Sequence, residues 1–222
     1  MGSKVAKQKD PVLLTNEDVQ LLLDNTLYDE DTIRQWHKSF LIDCPNGKLD
    51  KKKLNEAYQI CYPSEKREKF VNHVFRTFDT DNSGYIDFVE FLVALSITSN
   101  GHTEDKLKLA FDIYDINKNG FVDKKEMSKI LTAIYDLMGV EDRSGTNDPK
   151  KRVDLVMNSL DKNHDQKISR EEFVQSCLVD EVIRDMLTPM FNPSENDPSS
   201  MAVSTNADKT NFGSSGEAAN VH

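Results

Sequence analysis

At 222 residues with 37% apolar content, the chain can form one or two compact domains with a hydrophobic core. Its formal net charge of −10 excludes an ordinary nucleic-acid binder, which needs clustered Lys and Arg to neutralise phosphates. No apolar run reaches the ~18 residues of a membrane span. Three scattered cysteines suit neither a disulfide framework nor a zinc site, and no nucleophile–base order or glycine-rich phosphate cradle marks an enzyme.

Residues 1–15 form a polar arm, Met1-Gly2-Ser3-Lys4-Val5-Ala6-Lys7 and onward, with no apolar stretch of a secretory signal. With Cys44, Cys61 and Cys177 read as reduced packing thiols, the expected compartment is the cytoplasm. Two helical segments follow, Asn16–Asn25 and Asp29–Leu41. The second carries Ile33, Trp36, Phe40 and Leu41 on one aromatic-rich face.

From here the chain repeats a helix–loop–helix unit, with loops starting at 42, 79, 115 and 161. The reference pattern is the twelve-residue calcium loop of the EF-hand. It offers oxygens from positions 1, 3, 5, 7 (a carbonyl) and 9, closes with a bidentate Glu at 12, and bends at a Gly in position 6. The first loop fails this pattern. With Gly47 at the sixth position, Ile42 stands at 1, Cys44 at 3, Asn46 at 5 and Lys53 at 12, and Pro45 stiffens the entry. Leu49 keeps the apolar eighth position, so this hand is expected to survive as a structural mate for the second.

The second loop is the fullest. Asp79, Asp81 and Ser83 give side-chain oxygens, Tyr85 its carbonyl, Asp87 sits ninth, and Glu90 closes around Gly84. Phe70, Val74, Phe75 and Phe78 precede it at helical spacing, and Phe88, Phe91, Leu92 and Leu95 follow. Ser99–Thr103 reads as a polar hinge between two lobes, 16–98 and 104–192. The third loop offers Asp115, Asn117, Asn119, the Phe121 carbonyl, Asp123 and Glu126 around Gly120, one negative charge fewer than the second. A polar interval at 139–148 is expected to be mobile.

The fourth loop has Asp161, Asn163, Asp165, the Lys167 carbonyl, Ser169 and Glu172, but Gln166 replaces the glycine. A side chain in the left-handed region costs roughly 1–2 kcal/mol, or about tenfold in affinity if borne by the bound state alone. The fourth loop is therefore expected to bind calcium, but more weakly than it would with glycine. Val182–Phe191 closes the second lobe, and residues 193–222, rich in Pro, Ser, Asn and Gly, are expected to be disordered. The fold class is thus all-α: four EF-hands in two paired lobes, the first non-functional, with short two-strand contacts where Leu49, Ile86, Val122 and Ile168 meet in pairs. Two to three Ca2+ ions are expected, with Mg2+ competing for such oxygen sites.

Several stretches resemble the neuronal calcium sensor family, the recoverin/frequenin/visinin-like group. They are Asp43–Gly47 in the disabled first hand, Val74–Asp79, Ala94–Gly101, the set Glu104, Lys106, Leu107, Ala110, Phe111, Tyr114 and Asp115, and Lys150–Asp154. The likeness covers roughly residues 12–190, and the Cys-Pro first hand is a hallmark of the family. Gln166 and the long tail depart from it.

The resemblance implies N-myristoylation of Gly2, although Ala6 lacks the hydroxyl usual at that position. One acyl chain anchors marginally, so Lys4, Lys7 and Lys9 would add attraction to an anionic inner-leaflet surface. It also implies a groove for a target helix, lined by Trp36, Phe40, Tyr58, Phe75, Phe78, Phe88 and Leu92. Calcium would open the groove and expel the acyl chain; the target classes of the family are channels, cyclases, receptor kinases and lipid kinases. The competing readings are a passive calcium buffer and a constitutive subunit of a channel or receptor kinase.

Overall fold

A computed structural model describes residues 10–191, so Gly2 and the 193–222 tail lie outside the described residues. The helices are α1 (Asn16–Asn25), α2 (Glu30–Asp43), α3 (Lys51–Cys61), α4 (Glu68–Phe78), α5 (Phe88–Asn100), α6 (Thr103–Tyr114), α7 (Lys124–Leu137), α8 (Pro149–Leu160), α9 (Arg170–Val179) and α10 (Glu181–Leu187). Strand β1 (Phe121–Asp123) pairs antiparallel with β2 (Lys167–Ser169), with Val122 opposite Ile168. In the first pair Leu49 and Ile86 form a single antiparallel bridge, each amide donating to the other's carbonyl at 2.9 Å. The apolar eighth positions therefore meet in both pairs, as the pattern requires, giving four helix–loop–helix units in two lobes.

The loop sequence itself starts the exit helices. Asp87, Asp123 and Ser169, the ninth residues, are the N-caps of α5, α7 and α9. In each case the twelfth-position Glu stands at N3 and returns a hydrogen bond to the cap, completing a capping box. One short motif thus supplies both ion ligands and a helix start. The first residues, Asp79, Asp115 and Asp161, are the C-caps of α4, α6 and α8. A carboxylate at the negative end of a helix is unfavourable, so each entry helix ends in charge that a cation offsets.

Two hydrophobic clusters hold the fold. The smaller joins α1, α2 and α5 through Leu22, Ile33, Phe40, Phe88, Leu92 and Leu95. The larger takes in α3 and α4 with the whole second lobe, including Phe70, Val74, Phe75, Phe111, Tyr114, Met127, Ile130 and Phe173. The two helices of the second hand consequently belong to different cores, α4 to the larger and α5 to the smaller. Tyr114 donates to the Leu187 carbonyl at 3.1 Å and pins α10 onto the larger core.

Polar contacts add a seam between the lobes. The Asp136 carboxylate on α7, only 4% exposed, takes Lys69 of α4 at 3.2 Å and Arg143 at 2.5 Å. Ser64 donates to the Asp136 carbonyl. Burial raises the Asp136 carboxyl, but the bonds from Arg143 and Lys69 outweigh it and hold the group below its usual range.

The polar 139–148 interval contains a 3-10 turn at Gly145–Asn147, and its Arg143 pairs with Asp136 of α7. The expected hinge is shorter than Ser99–Thr103: Ser99 and Asn100 extend α5 and Thr103 starts α6, leaving Gly101 and His102 between them. Gly101 is required there by space, since a β-carbon would run into the Ile97 carbonyl. Cys44 and Cys177 are buried and Cys61 half-buried, and none of the three is in a disulfide. Burial pushes the Cys177 thiol up to about 12, which keeps it unreactive.

Candidate metal centres

In the second loop the Asp79 carboxylate accepts the Ser83 amide on Oδ1 at 2.9 Å and the Gly84 amide on Oδ2 at 3.0 Å. Asp81 Oδ1 also accepts the Ser83 amide, at 2.9 Å. Glu90 reaches back across the loop: Oε2 takes the Asp87 amide at 3.1 Å, and Oε1 takes the Thr80 amide at 2.8 Å and hydroxyl at 2.7 Å. These bonds gather oxygens of Asp79, Asp81 and Glu90 within 4.8 Å of one another. The Tyr85 carbonyl accepts Ser83 Oγ at 2.9 Å, which places the fifth and seventh positions side by side.

The third loop repeats the scaffold. Asp115 accepts the Asn119 and Gly120 amides at 3.0 and 2.8 Å, Asn117 Oδ1 accepts the Asn119 amide at 3.0 Å, and Asn119 Oδ1 accepts the Phe121 amide at 2.9 Å. Glu126 spans the Asp123 amide at 3.1 Å and the Asn117 amide at 3.2 Å.

So does the fourth. Asp161 accepts the Asp165 and Gln166 amides at 3.2 and 2.9 Å, and Asn163 and Asp165 accept the Asp165 and Lys167 amides, each at 2.9 Å. Glu172 closes on the Ser169 amide and hydroxyl at 2.9 and 2.8 Å and on the Lys162 amide at 3.2 Å. Burial raises the Glu172 carboxyl, but these bonds outweigh it and keep the group below its ordinary range, favouring the anion.

The hydrogen-bond frame of the first- and twelfth-position carboxylates thus recurs in the three loops, and among the described residues the second loop alone brings three carboxylates within 4.8 Å of one another. The donor set is oxygen only, mixed carboxylate, amide and carbonyl, and it fits a hard cation of the size of Ca2+.

Glycine at the sixth position is needed for its dihedral and not for space. Gly84 and Gly120 adopt φ +86° and +85°, and an added β-carbon at either meets nothing within 4 Å. Gln166 takes the same bend at φ +67°, close to the left-handed minimum that non-glycine residues can occupy. The strain expected from the sequence is present, with no steric clash added. The fourth positions, Asn82, Lys118 and His164, also carry positive φ of 58°, 57° and 62°. The sequence reading overlooked this second demand of the loop; Asn82 suits it, since Asn tolerates this region.

The first loop is closed from within. The Lys53 ammonium, at the position of the missing Glu, donates to the Asp43 carbonyl of the same loop. Gly47 bends at φ +68°, and a β-carbon there would run into the Pro11 carbonyl. The arm thus lies against the loop at its bend, a contact with no signature in local sequence.

The seven predicted groove residues are not brought together as one open lining. Phe40, Phe88 and Leu92 are buried in the smaller core and Trp36 packs half-buried against it. Phe75 is buried in the larger core, with Tyr58 and Phe78 half-buried on its edge. Helical apolar spacing marks core and groove positions alike, so the sequence could not separate them. Among the described residues no helix is long and apolar enough to cross a membrane.

Arg76 also escaped the sequence reading. It leaves the last turn of α4 and donates to the carbonyls of Asp112, Ile113 and Asp115 at 3.2, 2.9 and 3.1 Å. Burial lowers its pKa, opposed by the nearby carboxylates of Asp115, Glu126 and Asp112.

Comparison with known proteins agrees with this architecture. A family model described as an EF-hand domain pair matches residues 104–178, and another of the same description matches residues 46–98. Neuronal calcium sensor 1 of Lymnaea stagnalis is 40% identical over 190 residues, covering 85% of this chain and 96% of that protein. S-modulin of Aquarana catesbeiana is 35% identical over 169 residues (74% and 84%), and human recoverin 33% identical over 174 residues (77% and 87%). With likeness of this extent and two EF-hand pairs matched along its length, the chain belongs to the neuronal calcium sensor family.

Proposed function

We propose that this protein is a non-enzymatic calcium sensor that regulates a target protein by exposing apolar surface when its second, third and fourth loops are filled. Ca2+ supplies positive charge that draws the first- and twelfth-position carboxylates of each loop together. The metal residues are those of the three scaffolds: Asp79, Asp81, Ser83, Tyr85 and Glu90; Asp115, Asn117, Asn119, Phe121 and Glu126; Asp161, Asn163, Asp165, Lys167 and Glu172. Two to three ions bind, the fourth loop more weakly than it would with glycine in place of Gln166, and Mg2+ competes.

The observation that carries the switch is the division of the second hand between two cores. A sensor EF-hand changes the angle between its helices on binding. Here the buried side chains of α4 belong to the larger core and those of α5 to the smaller, with Phe91 of α5 packed against both, so a change of angle across Asp79–Glu90 shifts one core against the other. The residues uncovered are those at the border, Trp36, Phe40, Phe88 and Leu92 on one side and Tyr58, Phe75 and Phe78 on the other. An amphipathic helix laid in such a groove is the matching partner chemistry. Channels, cyclases, receptor kinases and lipid kinases are the target classes, and acylation at Gly2 with an anionic inner leaflet would bring the protein to a peripheral membrane site in the cytoplasm.

Titration of calcium at about millimolar magnesium, followed with a dye that brightens on apolar surface, tests this reading. A rise saturating in the micromolar range or below is expected. Flat fluorescence with calcium demonstrably bound leaves a passive buffer and overturns the switch.

A further inference from the structure

We infer that Arg76 is a positioning residue that couples calcium binding at Asp79–Glu90 to calcium binding at Asp115–Glu126. The inference rests on the proposed assignment of those two loops as calcium sites. Entry helices α4 and α6 both stop at the first ligand of their loop, with Asp79 and Asp115 in the same C-cap conformation, φ −73° and ψ 81°. Arg76 stands three residues before Asp79 and gives its hydrogen bonds to the end of the neighbouring helix. Asp112 and Ile113 carbonyls belong to the last turn of α6, whose oxygens lack intrahelical donors; the third acceptor is the carbonyl of Asp115 itself. Thr77 adds a bond from its hydroxyl to the Asp112 carbonyl at 3.3 Å.

The chemistry suits a clamp and not a surface tether. A positive group at a helix C-terminus is favoured by the dipole, and a planar guanidinium reaches the three carbonyls from two nitrogens held in a fixed fork, where an ammonium has a single freely rotating nitrogen. Arg76 is half-buried, and its buried Nε finds no acceptor. Its two terminal nitrogens therefore carry the bonds that orient it, and all three acceptors lie on α6 or at its cap. Its charge also faces Asp115 and Glu126, the first and last ligands of the third loop. When calcium orders either loop, the end of its entry helix is fixed, and Arg76 passes that constraint to the end of the other. Coupling of this kind is reciprocal: each ion raises the affinity of the other by the same factor.

The test follows each site separately by the amide resonances of Gly84 and Gly120, which donate to Asp79 and Asp115. Calcium is titrated into the full chain, into Glu90→Gln and into Glu126→Gln, each with Arg76 intact and with Arg76→Met. Disabling one loop should weaken the other by at least about fivefold with Arg76 present, and by less than about twofold with Arg76→Met. Arg76→Lys, which keeps the charge, should also lose most of the coupling, because a single ammonium nitrogen cannot take the places of both Nη1 and Nη2. Undiminished coupling in Arg76→Met or Arg76→Lys, or none in the parent, overturns the clamp. If Glu90→Gln or Glu126→Gln fails to silence its own loop, the site assignment falls first, and the clamp with it.

Discussion

The Lys48 ammonium lies over the Tyr85 ring, 4.4 Å from its centroid, and Lys167 lies over Phe121 at 5.6 Å. All four are seventh residues of their loops, so each pair sets a cation from one loop on an aromatic of the other. In the first pair the cation comes from the loop that departs from the calcium pattern. Replacing Lys48 with Gln is expected to lower the stability of the calcium-free protein by about 0.5–1 kcal/mol, the usual size of an exposed cation–π contact. Urea midpoints measured with chelator check it, and an unchanged midpoint would mean that the contact is only a crowded surface arrangement.

Gly47 and Gly84 both bend to the left-handed region, but for different reasons, and alanine separates them. Gly84→Ala has open space and should cost about 1–2 kcal/mol from the dihedral alone. Gly47→Ala meets the Pro11 carbonyl as well, so it should cost at least about 1 kcal/mol more, and the arm should be released. Limited proteolysis near Pro11 and denaturant melts read both effects; equal costs at the two sites would show that the arm yields freely.

Gln166→Gly removes the strain at φ +67° without opening a cavity, since the corresponding glycines face open space. Calcium affinity of the fourth loop should rise by up to about tenfold, with the third loop little changed. Calorimetric titration decides it, and parity with the parent would mean that Gln166 pays its strain in the empty state too.

Asp136 joins α7 to Lys69 and Arg143 as a nearly buried anion. Arg143→Met should cost about 1.5–3 kcal/mol, the worth of a charged hydrogen bond. The carboxyl is held below its ordinary value of 3.8 in the folded protein. Its contribution is therefore complete above the unfolded value and lost as pH falls through the folded one, that is, below about pH 4. Acid unfolding of Asp136→Asn should start from lower stability and fall less steeply in that range; a parallel curve would contradict the assignment.

His73 on α4 is lowered to about 4 by burial, with Arg76 and Lys129 adding repulsion. The unfolded chain binds its proton near the ordinary value of 6.5 while the folded one does not, so this histidine makes stability decline as pH falls from about 6.5 to about 4. His73→Gln should flatten that limb when both proteins are unfolded by urea in chelator. A slope identical to the parent would show that His73 takes up its proton as readily folded as unfolded.

Loop chemistry was legible in the sequence because it is local. Asp79, Glu90 and their counterparts stand at fixed spacing within twelve residues, and the ninth residue that caps the exit helix belongs to the same span. The strain at Gln166 was equally readable, since the sixth position alone dictates its dihedral. Pairing of Leu49 with Ile86 and Val122 with Ile168 followed from a shared eighth position.

The groove was not legible to the same degree. Phe40, Phe75, Phe88 and Leu92 have the spacing of an apolar helix face, and that spacing is the same whether the face is covered by the protein's own core or offered to a partner.

The sequence by itself determined the four helix–loop–helix units and the departure of the first from the calcium-loop pattern, both consequences of short-range spacing, and its motifs carried the resemblance to the family. Tertiary structure alone decided that α4 and α5 enter different cores, that Pro11 lies on Gly47, that Asp136 binds Lys69 and Arg143, and that Arg76 grips the end of α6. Each of these joins residues that come together only when helices pack. Their energies depend on burial and on partners from other elements, and no local pattern encodes either.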